Sequence, residues 1–248
     1  MIALRMEASS AYYRRLDAGK IIETVQALHQ RVERRFPGSG LGKVVAELLQ
    51  VAQETVTRAH WIQKPNIPIR AAAVLLSLAI LTIIAGLVVN IRQFSFTEYG
   101  TFIQALDASI GSVVFIGAAI LFLVNWENRI KRGRALKAVH ELRALAHIVD
   151  MHQVTKDPER YVGRRASAAV KREMTPFELG RYLDYCADSL ALISKIAALY
   201  VQDFQDTVLL DAVDDVEELT SGLSRKIWQK LTILGNLIEA MPPEDAAP

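Results

Sequence analysis

The stretch AAAVLLSLAILTIIAGLVV, residues 71–89, decides the fold of this chain. It contains no charged residue, and as an α-helix it would be about 28 Å long, close to the ~30 Å hydrocarbon core of a bilayer. A second run, ASIGSVVFIGAAILFLVNW at residues 108–126, has the same length and also lacks a charge. Each run alone is compatible with a buried helix of a soluble protein. Two in succession, both bounded by charged and aromatic residues, favour two transmembrane helices.

Charged residues beside the apolar runs indicate the orientation. The outer flanks carry six basic residues close to the runs: Lys64, Arg70, Arg129, Lys131, Arg132 and Arg134. The connection between the runs carries Arg92 and two acidic residues, Glu98 and Asp107. Because basic flanks stay on the cytoplasmic side, we predict a multi-pass protein of the plasma (inner) membrane with both termini in the cytoplasm.

The same patterns predict the domain organisation. We expect an all-α integral membrane protein, a two-span transmembrane helical hairpin with a cytoplasmic antiparallel helical bundle. The expected order is an N-terminal cytoplasmic helical hairpin at 1–66, transmembrane helix 1 at 67–91, a short external loop at 92–107, transmembrane helix 2 at 108–127, a cytoplasmic helical bundle at 128–241 and a disordered tail at 242–248. The formal net charge of +2 gives no signal for nucleic acid.

A glycine-rich segment interrupts the helical pattern of the N-terminal part. The segment FPGSGLGK, residues 36–43, resembles a phosphate-binding loop in composition. However, Pro37 stands where the first glycine of that loop belongs, and Val44 stands where its hydroxyl residue belongs. We therefore predict a tight turn between two antiparallel helices rather than a nucleotide site.

A heptad pattern follows a strong helix start at Thr175, Pro176 and Glu178. The two adjoining lines of the pattern are Leu183, Leu190, Ala197 and Phe204, and Leu179, Cys186, Ile193 and Tyr200. Such a seam predicts coiled-coil packing and self-association. Cys186 is the only cysteine, so no intramolecular disulfide can form, and its place on the seam predicts a buried residue rather than a reactive thiol.

The stretch HIVDMHQVTKDPERY, residues 147–161, raises the question of a metal site. On a helix, His140, His147 and Asp150 share one face, and imidazole and carboxylate ligands suit zinc, iron or manganese. His152 lies two positions from Asp150 and points elsewhere. The acidic residues at 211–218 could also bind a divalent cation, but they lack the pattern of an EF-hand loop.

The alternative interpretation of that stretch is structural. The helical pattern continues without a break from Ala108 to His152, and Asp157 with Pro158 resembles a new helix start. Residues 152–157 would then form a corner. The basic run that follows would contact lipid headgroups or the acidic residues 211–218; its members are Arg160, Arg164, Arg165, Lys171 and Arg172.

Three functions are compatible with these features. The leading hypothesis is a membrane-anchored helical scaffold or signalling module, non-enzymatic and oligomeric through its transmembrane and heptad helices. Its partner is the lipid bilayer, with no nucleic acid, cofactor or small-molecule substrate. The first alternative is an oligomeric two-span cation channel with an outer acidic ring at Asp107, near Glu98. The second is a membrane-bound metalloenzyme that uses His140, His147 and Asp150.

Overall fold

The computed structural model describes residues 15–63, 66–92, 99–158 and 174–240, and over these ranges it contains helices and no strand. We number the helices in chain order: α1 (Ala18–Arg35), α2 (Gly40–Gln63), α3 (Ile67–Arg92), α4 (Tyr99–Val154), α5 (Pro176–Val201) and α6 (Thr207–Glu239). The chain forms two compact units. The apolar unit comprises residues 64–134, and the bundle unit comprises residues 1–63 and 135–248.

The apolar unit contains α3 and the first part of α4. Both helices are long and apolar enough to cross a membrane, a criterion of length and composition that the segments Ile67–Gly86 and Asp107–Val154 meet. No residue in the most apolar window of either segment is buried within the chain. A core helix of a soluble protein would bury such side chains, because each Å² of apolar surface left in water costs about 25 cal/mol.

The bounds of these two helices differ in part from the expected ones. Helix α3 begins at Ile67, where transmembrane helix 1 was expected to begin. Helix α4 begins at Tyr99 rather than at Ala108, because residues 99–107 contain no proline or turn cluster that would delay the helix. Most of the loop expected at 92–107 is therefore helical in the described part, and residues 93–98 lie outside the described residues.

The turn between α1 and α2 lies where the sequence predicted it. Gly38 has a φ of 66°, in the left-handed region that favours glycine. Its N–H donates to Glu33 Oε1 at 3.0 Å, and the N–H of Gly42 donates to Ser39 Oγ at 3.0 Å. These bonds satisfy backbone donors at the start of α2 and in the turn, so the segment has a complete structural explanation.

Helix α5 is the most buried helix of the bundle unit. Half of its residues are buried, including the seam residues Leu183, Cys186 and Leu190. The buried face of α5 is wider than the two heptad lines predicted from the sequence, since Tyr182, Ile196 and others also lie in the core. The helix ends at Val201, so Phe204 lies beyond it and is only partly buried. The capping box at Thr175 and Glu178 is confirmed.

The C-terminal part of α4 packs into the same core. Ala135, Leu142, Ala146 and Val149 are fully buried on one face of the helix. Arg58 of α2 links the two helices, because its guanidinium lies 2.6 Å from Glu141 Oε2 and 2.7 Å from Glu54 Oε2. The all-helical bundle is therefore confirmed for the described residues.

Candidate functional site

The carboxylate of Glu127, on α4, binds the backbone at the start of α3. Its Oε1 accepts from the backbone N–H of Asn66 at 3.1 Å and from Lys131 Nζ at 2.8 Å, and Arg70 Nε lies 3.9 Å from its Oε2. Glu127 and Lys131 are only 8% and 9% exposed. Glu127 thus caps the N-terminus of α3 from a different helix, where the helix dipole favours an anion. From the sequence, Arg70 and Lys131 were expected only to be basic flanks, and no role was predicted for Glu127.

Lys230 of α6 forms hydrogen bonds to the backbone of the corner that follows residue 152. Lys230 Nζ donates to the backbone carbonyl of Gln153 at 2.7 Å and to that of Lys156 at 3.4 Å. These carbonyls lie at the C-terminal end of α4, where the helix leaves acceptors without partners. Partial burial lowers the pKa of Lys230, against the opposing effect of the Asp157 and Asp150 carboxylates.

The three predicted metal ligands lie on one face of α4 but do not form a recognisable site. His140 and His147 are exposed, and Asp150 Oδ1 accepts from Gln153 Nε2 at 2.5 Å. In the described ranges, no group of three or more His, Cys, Asp or Glu side chains is arranged to hold a metal ion. His152 is oriented separately: its imidazole packs against the backbone of Gly40 at the start of α2.

The residues of the pore hypothesis are described only in part. Asp107 is exposed on α4, and Glu98 lies outside the described residues. No contact among the described residues tests whether these acidic side chains form a ring, so the cation channel stays a prediction.

The basic run at Arg160, Arg164, Arg165, Lys171 and Arg172 also lies outside the described residues. Its expected partner, the acidic segment 211–218, begins on the exposed side of α6. There Asp215 Oδ2 lies 3.4 Å from Arg143 Nη1 of α4. The acidic segment therefore has a basic partner that the sequence did not predict.

An exposed apolar stripe runs along the last turns of α4. Ile148, Met151 and Val154 are 39%, 70% and 61% exposed, and their spacing of three places them on one side of the helix. On α6, Trp228 is 67% exposed. Large apolar side chains gathered on one helix face indicate a contact surface more strongly than scattered ones do.

Two open cavities lie beside α1 and α5. The first, about 530 Å³, mixes charges: its lining includes Arg15, Lys20 and Lys195 together with Asp17 and Asp188. The second, about 450 Å³, is lined by Arg31, Arg34, Arg35, Glu178 and Tyr185. No role was predicted for these arginines from the sequence. The signal was RVERR at residues 31–35, three arginines on one helix face.

No protein-family model, curated protein or solved structure matches this chain. The class of protein is defined by its fold: an all-helical protein with a helical bundle and two helices apolar enough to cross a membrane.

Proposed function

We propose that the protein is a non-enzymatic, membrane-anchored helical interaction module that self-associates. In this proposal α3 and the first part of α4 are the anchor, both termini are cytoplasmic, and the bundle unit provides the contacts. The exposure of the two apolar helices supports an anchor, because lipid would cover surface that the chain itself leaves open. The basic flanks of the two runs support the orientation.

The observation that carries the proposal is the apolar stripe of Ile148, Met151 and Val154. The opposite face of the same turns is buried in the bundle core through Leu145 and Val149. The helix is thus apolar on two sides, and only one of them is covered within the chain. Copies anchored in one bilayer have a raised effective concentration, which favours association between copies through this stripe.

The oligomeric state of the full chain in lipid nanodiscs or mild detergent tests this proposal. We expect the native chain to be an oligomer by light scattering and the double variant Met151→Asp/Val154→Asp to be a monomer, because a carboxylate cannot be buried unpaired in an interface. The control is Ser221→Asp/Gln229→Asp, which adds the same two negative charges to exposed positions of α6 outside the stripe. A monomeric native chain, or equal dissociation by the control, would contradict self-association through the stripe.

The same preparation separates this proposal from the pore hypothesis. A cation current in planar bilayers that Asp107→Ala abolishes would replace the interaction module by a channel. The absence of any current leaves the interaction module as proposed.

A further inference from the structure

Four arginines meet where the end of α1 packs against the beginning of α5. Phe36, the C-cap of α1, packs edge-to-face on Tyr182 and Tyr185, with ring centroids 5.5 Å and 6.3 Å apart. This contact fixes the last turn of α1, with Arg34 and Arg35, beside the first turns of α5. We call the cavity lined by Arg31, Arg34, Arg35, Glu178 and Tyr185 the arginine cleft.

Aromatic rings position three of these guanidinium groups. Arg35 and Arg181 both lie over the ring of Phe177, with their Cζ atoms 5.0 Å and 5.7 Å from its centroid. Arg31 Cζ lies 5.8 Å from the centroid of Tyr185. An aromatic ring attracts a guanidinium without neutralising it, and the guanidinium keeps five N–H donors. The cluster therefore keeps both its charge and its donors.

The carboxylates nearby offset only part of the charge of the cluster. Glu178 Oε2 accepts from the backbone N–H and the hydroxyl of Thr175, at 2.8 Å and 3.2 Å, as part of the capping box. The ion pairs of Arg31 with Asp188 and of Arg181 with Asp184 are 3.5 Å and 3.7 Å long, and all four side chains are about half exposed. Such exposed pairs contribute little.

The dipole of α1 accounts for only part of the basic charge. Arg34 and Arg35 lie in its last turn, where the helix end carries a charge of about −0.5. Two full positive charges exceed that value, whereas Arg31 and Arg181 have the carboxylate partners Asp188 and Asp184. Within the described part of the chain, Arg34 forms no ion pair. The cleft has the charge, the donors and the space to accept an anion.

We propose that the arginine cleft binds the phosphate group of a phosphorylated ligand. Arg34 and Arg35 provide the main charge-assisted hydrogen bonds, and Arg31 and Arg181 add to the positive potential. Guanidinium groups match phosphate oxygens in bidentate geometry, and about 450 Å³ holds a phosphate group with part of the molecule that carries it. The phosphate belongs to a soluble ester or to a lipid headgroup, since both present the same oxygens.

The first experiment titrates inorganic phosphate into the full chain in phosphatidylcholine nanodiscs by calorimetry, at constant ionic strength. We expect saturable binding to the native chain and about tenfold or weaker binding to Arg34→Gln/Arg35→Gln, because hydrogen bonds between charged groups are lost. The matched control is Arg225→Gln/Lys226→Gln, which removes two exposed positive charges from α6. Loss of binding in this control as large as in Arg34→Gln/Arg35→Gln would show diffuse attraction and overturn the proposal, as would no saturable binding to the native chain.

A second variant keeps the test valid if the glutamine variant does not fold. Arg34→Lys/Arg35→Lys preserves the charge and removes the planar fork, so we expect weaker phosphate binding at unchanged thermal stability. Unchanged binding would contradict recognition by guanidinium groups.

The second experiment identifies the source of the phosphate. The same titration is repeated in nanodiscs that contain phosphatidic acid, whose headgroup is a phosphate monoester. If a lipid occupies the cleft, added phosphate competes and binds more weakly in these nanodiscs, and Arg225→Gln/Lys226→Gln shows the same competition. Equal affinity in both nanodiscs assigns the cleft to a soluble phosphate ester. This outcome does not depend on self-association, so either proposal can fail alone.

Discussion

Thr55 of α2 and Tyr200 of α5 bring their hydroxyl oxygens to 3.0 Å from each other inside the bundle core. Thr55 is fully buried, and Tyr200 is 2% exposed. The Thr55 hydroxyl also lies 2.7 Å from the carbonyl oxygen of Val51, to which it donates its only hydrogen. Tyr200 must therefore be the donor in the bond between the two side chains.

This direction of donation predicts unequal effects of two substitutions. Thr55→Val leaves the buried Tyr200 hydroxyl without its acceptor, and we expect a loss of about 2 kcal/mol in the free energy of unfolding. Tyr200→Phe leaves Thr55 still bonded to Val51, and we expect a loss of about 1 kcal/mol. Denaturant unfolding of both single variants and the double variant gives the coupling energy. Equal losses with additive effects would contradict the assigned bond.

Local patterns predicted the bundle helices well, whereas contacts distant in sequence were not predictable. The capping box at Thr175 lies within four residues, and the buried lines of α5 follow from helical spacing. The cap on α3 depends on Glu127, and its partner Asn66 is 61 residues away. The sequence gives the charge of Glu127 but not its partner, because the approach of two helices depends on tertiary packing.

The arginine cleft also depends on contacts between residues that are distant in sequence. Three of its residues were visible as RVERR, but Arg181 and the two aromatic rings come from α5. Basic residues in a last helical turn are common, since they complement the helix dipole. Only the packing of Phe36 against Tyr182 distinguishes this cluster from an ordinary helix end.

Cys186 is expected to resist thiol reagents in the folded protein. It is fully buried, and burial raises the pKa of its thiol to about 12 from 9.0. Below pH about 9 the thiol is protonated in both states, so its contribution to stability is fully present there. As the pH rises towards 12, the unfolded thiol ionises first and this contribution is lost.

The rate of iodoacetamide labelling at pH about 8 measures this protection. We expect labelling of Cys186 only at the rate at which the bundle opens, and full labelling in denaturant. The control is Ser221→Cys, at an exposed position of α6, which should add one rapidly labelled thiol. Fast labelling of the native chain would show that the site is open to solvent.

Glu127 is expected to stabilise the apolar unit through two bonds. Glu127→Ala removes the partner of the nearly buried Lys131 ammonium and the acceptor for the Asn66 N–H, so we expect a loss of about 3 kcal/mol. Glu127→Gln keeps an oxygen acceptor without the charge, and we expect a smaller loss. Equilibrium unfolding in mixed micelles, followed by circular dichroism, measures both. Glu239→Ala, at the exposed end of α6, is the control and should have no effect.

His152 packs against Gly40, so we expect the effect of Gly40→Ala on stability to change sign when His152 is replaced. A Cβ atom at position 40 would overlap Cε1 of His152, so Gly40→Ala forces the imidazole away from the start of α2. The ring ends a side chain that is only partly buried, so its displacement costs about 1 kcal/mol, still more than the ~0.5 kcal/mol that alanine gains over glycine in a helix. In the His152→Ala background the overlap is absent, and only the helical gain remains. We therefore expect Gly40→Ala to lower the melting temperature of the native chain and to raise that of His152→Ala. The same sign in both backgrounds would show that His152 does not pack on Gly40. The sign reversal would instead establish that this histidine, within the stretch that first suggested a metal site, has a packing role.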